Sequence, residues 1–456
     1  MTNAEVLENI RDKGSKVLKP LDPQTQTLIY KTREWVDILN QEHIGNYPEG
    51  WEKLREVQLA HILILEDLVS KTYTPPNFKR ERGIIIGTGG AKFFSCAFAA
   101  FYTLKRLKCS VPIEFWYLGD YEMDDKMKEI CDMYNITYIN TEKFCKDKGI
   151  NLRILSGWEL KSIATLFSDF KEVMYIDADN IPAIDPSYLF DDPRYKELGS
   201  IFWPDLPSCE REEWLVPLCW HNVNLEYIKE VDFESGQFIV NKEKCYKELY
   251  ISYWINQHSD WFYKFVYGDK STFHLAWRKC GTDYGMPSKP AGWEYPCILQ
   301  YDLDDRLVFQ HACQGKELIY SGTKLSNIIN GNYVNDAKKM RDLIWSGIIY
   351  SWDEMPKKVK KISNNLVGKY EFIKENLSKQ TIHLIDGGDI GKGKSQTINR
   401  WSLKVENDIV HLILIGSAHK GSEVAMVIAK DDGSGKCYNG KLSAYEKCNV
   451  TLKLIN

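Results

Sequence analysis

The spacing of apolar residues changes along the chain, and each change predicts a different kind of element. In TQTLIYKTREWVDILNQ (25–41) and GWEKLREVQLAHILILEDLVSK (50–71) apolar residues recur at helical intervals. The prolines of TYTPPNFK end this N-terminal helical region, taken as residues 1–80. RGIIIGTGG (82–90) is then a short β-branched run closing on glycines. AKFFSCAFAAFYTLKRLK (91–108) reads as an amphipathic helix, IEFWYLGD (113–120) as a strand, MKEICDMYN (127–135) as a helix and ITYIN (136–140) as a strand. This alternation predicts a parallel sheet with helices on its faces, and an α/β domain spanning 81–330. Ligands of such sheets sit beyond the carboxyl ends of the strands.

Farther on the texture changes twice. Residues 331–378 read as a helical segment, KKMRDLIWSGIIYSW (338–352), and a basic polar connector, MPKKVKKISNN (355–365). Residues 379–456 hold short strand patterns: TIHLID, WSLKVE, DIVHLILIG, EVAMVIAKD and NVTLKLIN. Turns such as GGDIGKGK and DDGSGK separate some of them, which predicts a small all-β domain.

Composition acts mainly by exclusion. A chain of 456 residues can bury a large core without covalent staples. With 44% hydrophobic and 27% charged residues and a net charge of −4, the chain is ordinary and globular, and nothing suggests a nucleic-acid binder. The 12 cysteines show neither CxxC spacing nor a zinc pattern, so they are expected to be mostly reduced and the compartment cytoplasmic. MTNAEVLENIRDKGSK is charged and lacks the apolar core of a signal peptide, and no apolar run has the length of a membrane span, so no transmembrane segment is expected. The 14 Trp and 26 Tyr suit a sugar site, although aromatic residues serve cores as well.

The sharpest chemistry lies in KEVMYIDADNIP (171–182). Val173–Ile176 reads as a buried strand that runs straight into Asp177 and Asp179. Two carboxylates aimed into one crevice repel each other and resist ionisation unless a cation joins them. Mg²⁺ or Mn²⁺, held by such carboxylates together with substrate phosphates, suits a nucleoside diphosphate. The alternative is a helix cap or turn, for which Asn180 and Pro182 are apt. GTGG ends the first strand and a helix follows it, so its backbone amides can approach a phosphate or ribose. It is neither the GxGxxG fingerprint nor a P-loop.

Several stretches, in order, resemble the fungal Golgi α-mannosyltransferases. They are GTGGAKFFSCAFAAFYTLKRLKCSVPIEFWYLGD, GWELKSIATLFSDFKEVMYIDADNIPAIDPSYLFD, GSIFWPD, ESGQFIVNK, HSDWFYKFVYGDKSTFHLAW and LVFQH. The likeness runs from about residue 83 to 315 and extends more distantly to glycogenin-like retaining transferases. It implies a GT-A-like, Rossmann-type nucleotide-sugar transferase domain, flanked here by the N-terminal helical region and the C-terminal all-β domain. The fungal enzymes differ in carrying an N-terminal membrane anchor and in lacking a β domain of this kind.

The resemblance also implies roles. Asp177 and Asp179 would hold Mn²⁺ or Mg²⁺, with His311 completing the shell; the alternative for His311 is a satisfied core histidine. Gly87, Thr88 and Gly89 would lie under the nucleoside. Lys161 would neutralise phosphate charge or order the donor, unless it is a solvated helix lysine. Glu234, Ser235, Gly236 and Gln237 would sit at a strand edge beside the donor sugar. Asp269 would bond sugar hydroxyls, its alternative being an N-terminal helix cap. Asp205, after Trp203 and Pro204, would meet the acceptor.

The expected function is a metal-dependent retaining glycosyltransferase that moves a hexose to a hydroxyl acceptor on a glycan, protein or small molecule. By family analogy the hexose is mannose from GDP-mannose and attack comes from the leaving-group face. A double displacement would need a carboxylate nucleophile, for which Glu234 is the candidate. UDP-glucose or UDP-galactose could serve as donor through the same chemistry. A non-catalytic glycan-binding protein on this scaffold is a further alternative. A phosphatase of the haloacid dehalogenase type fits poorly, because its first aspartate belongs on the first strand of the sheet.

Overall fold

A computed structural model describes residues 51–154, 157–206, 219–266, 268–315, 357–395, 398–406, 409–417, 423–442 and 448–455. The helical patterns expected over 25–41 and 338–352 lie outside these residues. The chain forms two compact units, Met1–Gly90 with Ala100–Cys313 and Ala91–Ala99 with Gln314–Asn456. Among the described residues no helix is long and apolar enough to cross a membrane.

In the first unit, helix Trp51–Ser70 buries Leu54, Ile64, Leu65 and Leu68, the face its periodicity predicts. The main sheet contains β1 (Arg80–Gly87), β2 (Ile113–Tyr117), β3 (Thr137–Asn140), β4 (Phe170–Asp177), β6 (Ser200–Pro204) and β7 (Phe233–Asn241), in the order β3-β2-β1-β4-β7-β6. Strands β3, β2, β1 and β4 are parallel. β7 runs antiparallel to both β4 and β6, so the sheet is mixed where the alternation predicted a parallel one. Its inner strands are unbroken apolar runs, Ile84–Ile86, Val173–Ile176 and Phe238–Val240, as burial on both faces demands.

The chain winds outward from β1 to β3 and then returns to place β4 on the other side of β1. That reversal opens a crevice at the carboxyl ends of β1 and β4. Gly87 and Asp177, the last residues of these strands, are register partners.

A second, antiparallel sheet consists of β5 (Asn180–Pro182), β10 (Leu307–His311), β9 (Cys297–Tyr301) and β8 (Gly292–Glu294), in the order β5-β10-β9-β8. The Ala178–Asp179 turn joins β4 to β5, so the aspartate motif bridges the two sheets.

The second unit holds a seven-stranded antiparallel sheet in the order β12-β11-β17-β16-β15-β14-β13. Its strands are β11 (Gly368–Lys374), β12 (Ser378–Leu384), β13 (Arg400–Glu406), β14 (Ile409–Ser417), β15 (Glu423–Asp431), β16 (Cys437–Leu442) and β17 (Asn449–Ile455). Two sequence expectations change here. The stretch read as a connector contains helix Lys357–Leu366, whose Val359 and Leu366 enter the core of this sheet with Ile362 packed beside them. The sheet also starts at β11, ahead of residue 379, because Tyr370 and Phe372 alternate into that same core.

Candidate active site

The site assembles at the crevice between β1 and β4. Asp177 ends β4, Asp179 sits in the turn, and Asn180 opens β5. Asn180 pairs with His311 across the β5–β10 ladder, which brings a residue from late in the chain to the aspartate motif. His311 Nε2 lies 3.5 Å from Asp179 Oδ1 and 3.9 Å from Asp177 Oδ2. One ligand atom from each of these side chains falls within 4.8 Å of the others. Two carboxylates and an imidazole, converging this closely, fit a divalent metal ion.

The other face of the imidazole is fixed as well. His311 Nδ1 lies 3.1 Å from Glu234 Oε1, on β7. Glu234 also accepts from the Gly236 N–H at 2.9 Å and from Gln237 Nε2 at 3.0 Å. Asn180 Nδ2 donates to the Gly236 carbonyl at 2.9 Å and to Gln237 Oε1 at 2.5 Å, tying β5 to β7. A methyl group on Gly236 would overlap the His311 ring, so the backbone there must be bare. ESGQ lies at the start of β7, a strand interior to the sheet between β4 and β6. The Glu234 carboxylate is engaged by His311 and its own strand. It is the kind of partner that sets a ligating histidine's orientation.

Lys161 closes the cluster. It lies in helix Leu160–Phe167, which packs through Ile163, Ala164 and Leu166 into the core with Val173 and Tyr175 of β4. Its ammonium donates to Asp177 Oδ2 at 3.2 Å, to the Ser235 carbonyl at 2.8 Å and to Ser235 Oγ at 3.1 Å. It also pairs with Asp269 Oδ2 at 3.0 Å and lies 5.2 Å from the centroid of the Tyr175 ring. Lys161 is therefore buried and fully engaged, not a solvated helix lysine. Asp269 stands at the N-cap of helix Lys270–Cys280, yet its side chain makes no capping hydrogen bond. It accepts from Ser235 Oγ at 2.9 Å, so it faces the site and the capping alternative falls.

Proton affinities follow from this packing. Burial raises Asp177, and only part of that effect is offset by Lys161 and His311. Burial would raise Glu234 as well, but His311 and Lys161 hold it below the usual carboxylate range. Burial disfavours the Lys161 charge, yet Asp177, Asp269 and Glu234 raise its affinity above the ordinary value. Burial likewise opposes a charged His311, which Glu234 and Asp179 nevertheless push well upward. Without a cation, protons must stabilise this crowd of carboxylates.

The directions left open by Gly87 and Gly89 are filled by the Tyr175 hydroxyl and the Glu122 carboxylate, so both glycines serve packing there. Thr88 is the polar side chain of the turn, and it is buried. Its N–H donates to the Trp116 carbonyl at 2.8 Å, while its buried Oγ1 has no hydrogen-bond partner among the described residues. Asp205 pairs with Lys270, the neighbour of Asp269. Burial raises Asp205 and Lys270 opposes that rise. The β6–β7 irregularity after Phe202 sets Trp203 against Glu234.

Sequence reasoning gave Asn180 only a turn role and passed over Tyr175. The signal for Asn180 was a polar side chain, directly after the aspartates, inside the otherwise apolar NIPA run.

A family model described as "Mannosyltransferase putative" matches residues 81–218 and 220–296. Among known proteins, alpha-1,2-mannosyltransferase MNN21 of Candida albicans is 23% identical over 303 residues, covering 55% of this chain and 46% of that protein. Alpha-1,2-mannosyltransferase MNN2 of Saccharomyces cerevisiae is 25% identical over 296 residues, covering 54% of this chain and 50% of that protein. The chain thus spans about half the length of these relatives. The structure of the mannosyltransferase Ktr4p from S. cerevisiae matches at 13% identity with a TM-score of 0.32, covering 72% of this chain and 98% of that one. The chain resembles the fungal α-1,2-mannosyltransferases, and its match to the mannosyltransferase family takes in every residue of the site described above except His311.

Proposed function

We propose that this chain is a retaining glycosyltransferase that moves a mannosyl group from GDP-mannose to a hydroxyl acceptor, with a divalent cation in the site. The observation that carries this reading is the convergence of Asp177, Asp179 and His311 at the β1–β4 crevice, where Gly87 pairs with Asp177. The donor sugar comes from the names of the relatives, and the nucleotide from the family resemblance alone.

Asp177, Asp179 and His311 would hold Mn²⁺ or Mg²⁺, and an imidazole ligand favours Mn²⁺. Bound there, the ion would supply positive charge to the departing diphosphate. Glu234 orients His311 by accepting at Nδ1, which leaves Nε2 for the metal. Thr88 Oγ1 offers a hydrogen bond to the nucleoside. Lys161 holds Asp177 and Asp269 in one arrangement, and Asp269 accepts from donor-sugar hydroxyls. Ionised carboxylates form strong hydrogen bonds of this kind. In the transfer the C1–O bond to the diphosphate breaks as the bond from C1 to the acceptor oxygen forms. The acceptor's proton passes to the departing diphosphate oxygen, which lies on the same face.

The test is a thermal-shift panel of GDP-mannose, UDP-glucose and UDP-galactose, each with and without Mn²⁺, followed by product analysis. Stabilisation by GDP-mannose only with metal is expected, since a ligand bound to the folded state raises the melting point. Stabilisation by a UDP-sugar instead would reassign the donor. No response to any nucleotide sugar would overturn the reading.

A further inference from the structure

Trp116, Trp203, Trp261, Trp277 and Trp401 are fully buried, whereas Trp158 is 55% exposed. It is not a loosely placed surface residue. Its carbonyl accepts from the Lys161 N–H at 3.2 Å, which puts Trp158 at the head of the helix that carries Lys161. Tyr263 supports its ring, with centroids 6.1 Å apart and planes inclined by 49°. Gly268, the residue before Asp269, lies against the ring itself. A methyl group there would stand 3.0 Å from Trp158 Cζ3, inside van der Waals contact. Gly268 also has φ +64°, a conformation that glycine adopts without strain. Ring and backbone are therefore fitted to each other, and the ring sits one residue from Asp269 and one helical turn from Lys161.

We propose that Trp158 is the platform for the acceptor sugar. The inference rests on the glycosyltransferase reading and adds to it the place and chemistry of acceptor binding. An indole face carries negative charge density and attracts the weakly positive C–H face of a pyranose ring. A rigid aromatic of this kind orients a sugar at little cost in conformational entropy, because its support is already in place. The acceptor is thereby a hexopyranoside, and its hydroxyl groups are free to turn toward Asp205. A flexible, non-cyclic hydroxyl compound would gain nothing from the platform.

The experiment uses the full chain with Mn²⁺ and GDP and takes methyl α-mannoside as the probe. Saturation-transfer NMR should show the C–H face of the probe in contact with the wild-type protein. Trp158→Ala should abolish that signal, and Trp158→Phe should restore part of it. In the transfer assay, Trp158→Ala should raise the acceptor KM roughly tenfold, the scale of one lost stacking contact, with a smaller change in kcat. GDP titration of each variant reports whether the nucleotide crevice is intact. The proposal is overturned if the probe binds Trp158→Ala as well as wild type, or if wild type gives no probe signal. It is also overturned if Trp158→Ala lowers kcat at an unchanged acceptor KM. Failure of the function reading looks different: no nucleotide sugar binds the wild-type protein, whatever the probe does.

Discussion

His311 faces Asn180 as its register partner on neighbouring antiparallel strands, and that pairing holds its imidazole 3.5 Å from Asp179. The metal-binding potential of the site is thus set by backbone hydrogen bonding as much as by side chains. Asp177→Asn and Asp179→Asn each leave the strands unchanged and remove one anionic ligand. Each should lower transfer by at least about 100-fold and abolish the Mn²⁺-dependent shift in melting temperature. Wild-type rates for either variant in excess chelator would show that the aspartates hold no metal.

Gly236→Ala tests the histidine without removing a polar group. The new methyl would enter the space of the His311 ring and of Glu234. Far-UV circular dichroism should be unchanged, while Mn²⁺ affinity, read by electron paramagnetic resonance, should fall about 10- to 100-fold. Unaltered affinity would mean that His311 lies outside the metal shell.

Lys161 is the buried cation that joins Asp177 to Asp269. Lys161→Met leaves both carboxylates without it and should cost about 3 kcal/mol of stability. Mn²⁺ should recover part of that loss, because it supplies positive charge to Asp177. Equal denaturation midpoints for wild type and variant in the absence of metal would contradict the pairing.

Lys242 lies just beyond β7 and donates to the Ser168 carbonyl at 2.6 Å and the Leu166 carbonyl at 3.2 Å, at the end of the helix bearing Lys161. Burial pushes it down to about 7 from an ordinary value of 10.5. Between those values the unfolded chain binds more protons, so raising the pH favours the folded state. The stability of wild type relative to Lys242→Met should therefore increase from pH 7 toward pH 10, by at most about 1.4 kcal/mol per unit. Urea unfolding across that range measures it, and a flat difference would show that Lys242 keeps its proton.

Every buried member of the C-terminal core cluster lies between Val359 and Leu452. Residues 357–456, expressed alone, should therefore fold into the seven-stranded sheet. A cooperative thermal transition and dispersed amide resonances would establish it. An aggregated or unfolded product would mean that the sheet depends on the rest of the chain.

The strands of the main sheet and the aspartate motif were legible because burial on both faces enforces long apolar runs, and Asp177 interrupts such a run abruptly. The C-terminal strands were legible where the apolar run is long, as in β14, whose consecutive Leu412, Ile413 and Leu414 are all buried. β16 was missed because CYNGKL buries only Tyr438 and Leu442, and because Gly440 is there to clear the backbone of Ile428. Helix Lys357–Leu366 was hidden by Lys357, Lys360 and Lys361, which are exposed opposite a three-residue apolar stripe. The site was legible in its residues and not in their contacts. No local pattern announces that Glu234 meets His311, a partner 77 residues away, or that Lys161 is buried beside Asp269. Those are products of strand order, which periodicity does not encode.

Gly87 and Asp177 become neighbours only after the chain has crossed through β2 and β3 and returned beside β1. A slip of one residue between β1 and β4 would turn Asp177 to the opposite face, and the same holds for Asn180 and His311 on the second sheet. A chain still in the course of folding, or one misregistered at either ladder, has all the ligand side chains and no place to gather them. On the proposed reading, Mn²⁺ binding would be a yardstick of assembly: metal stoichiometry would count the molecules in which both ladders have closed correctly.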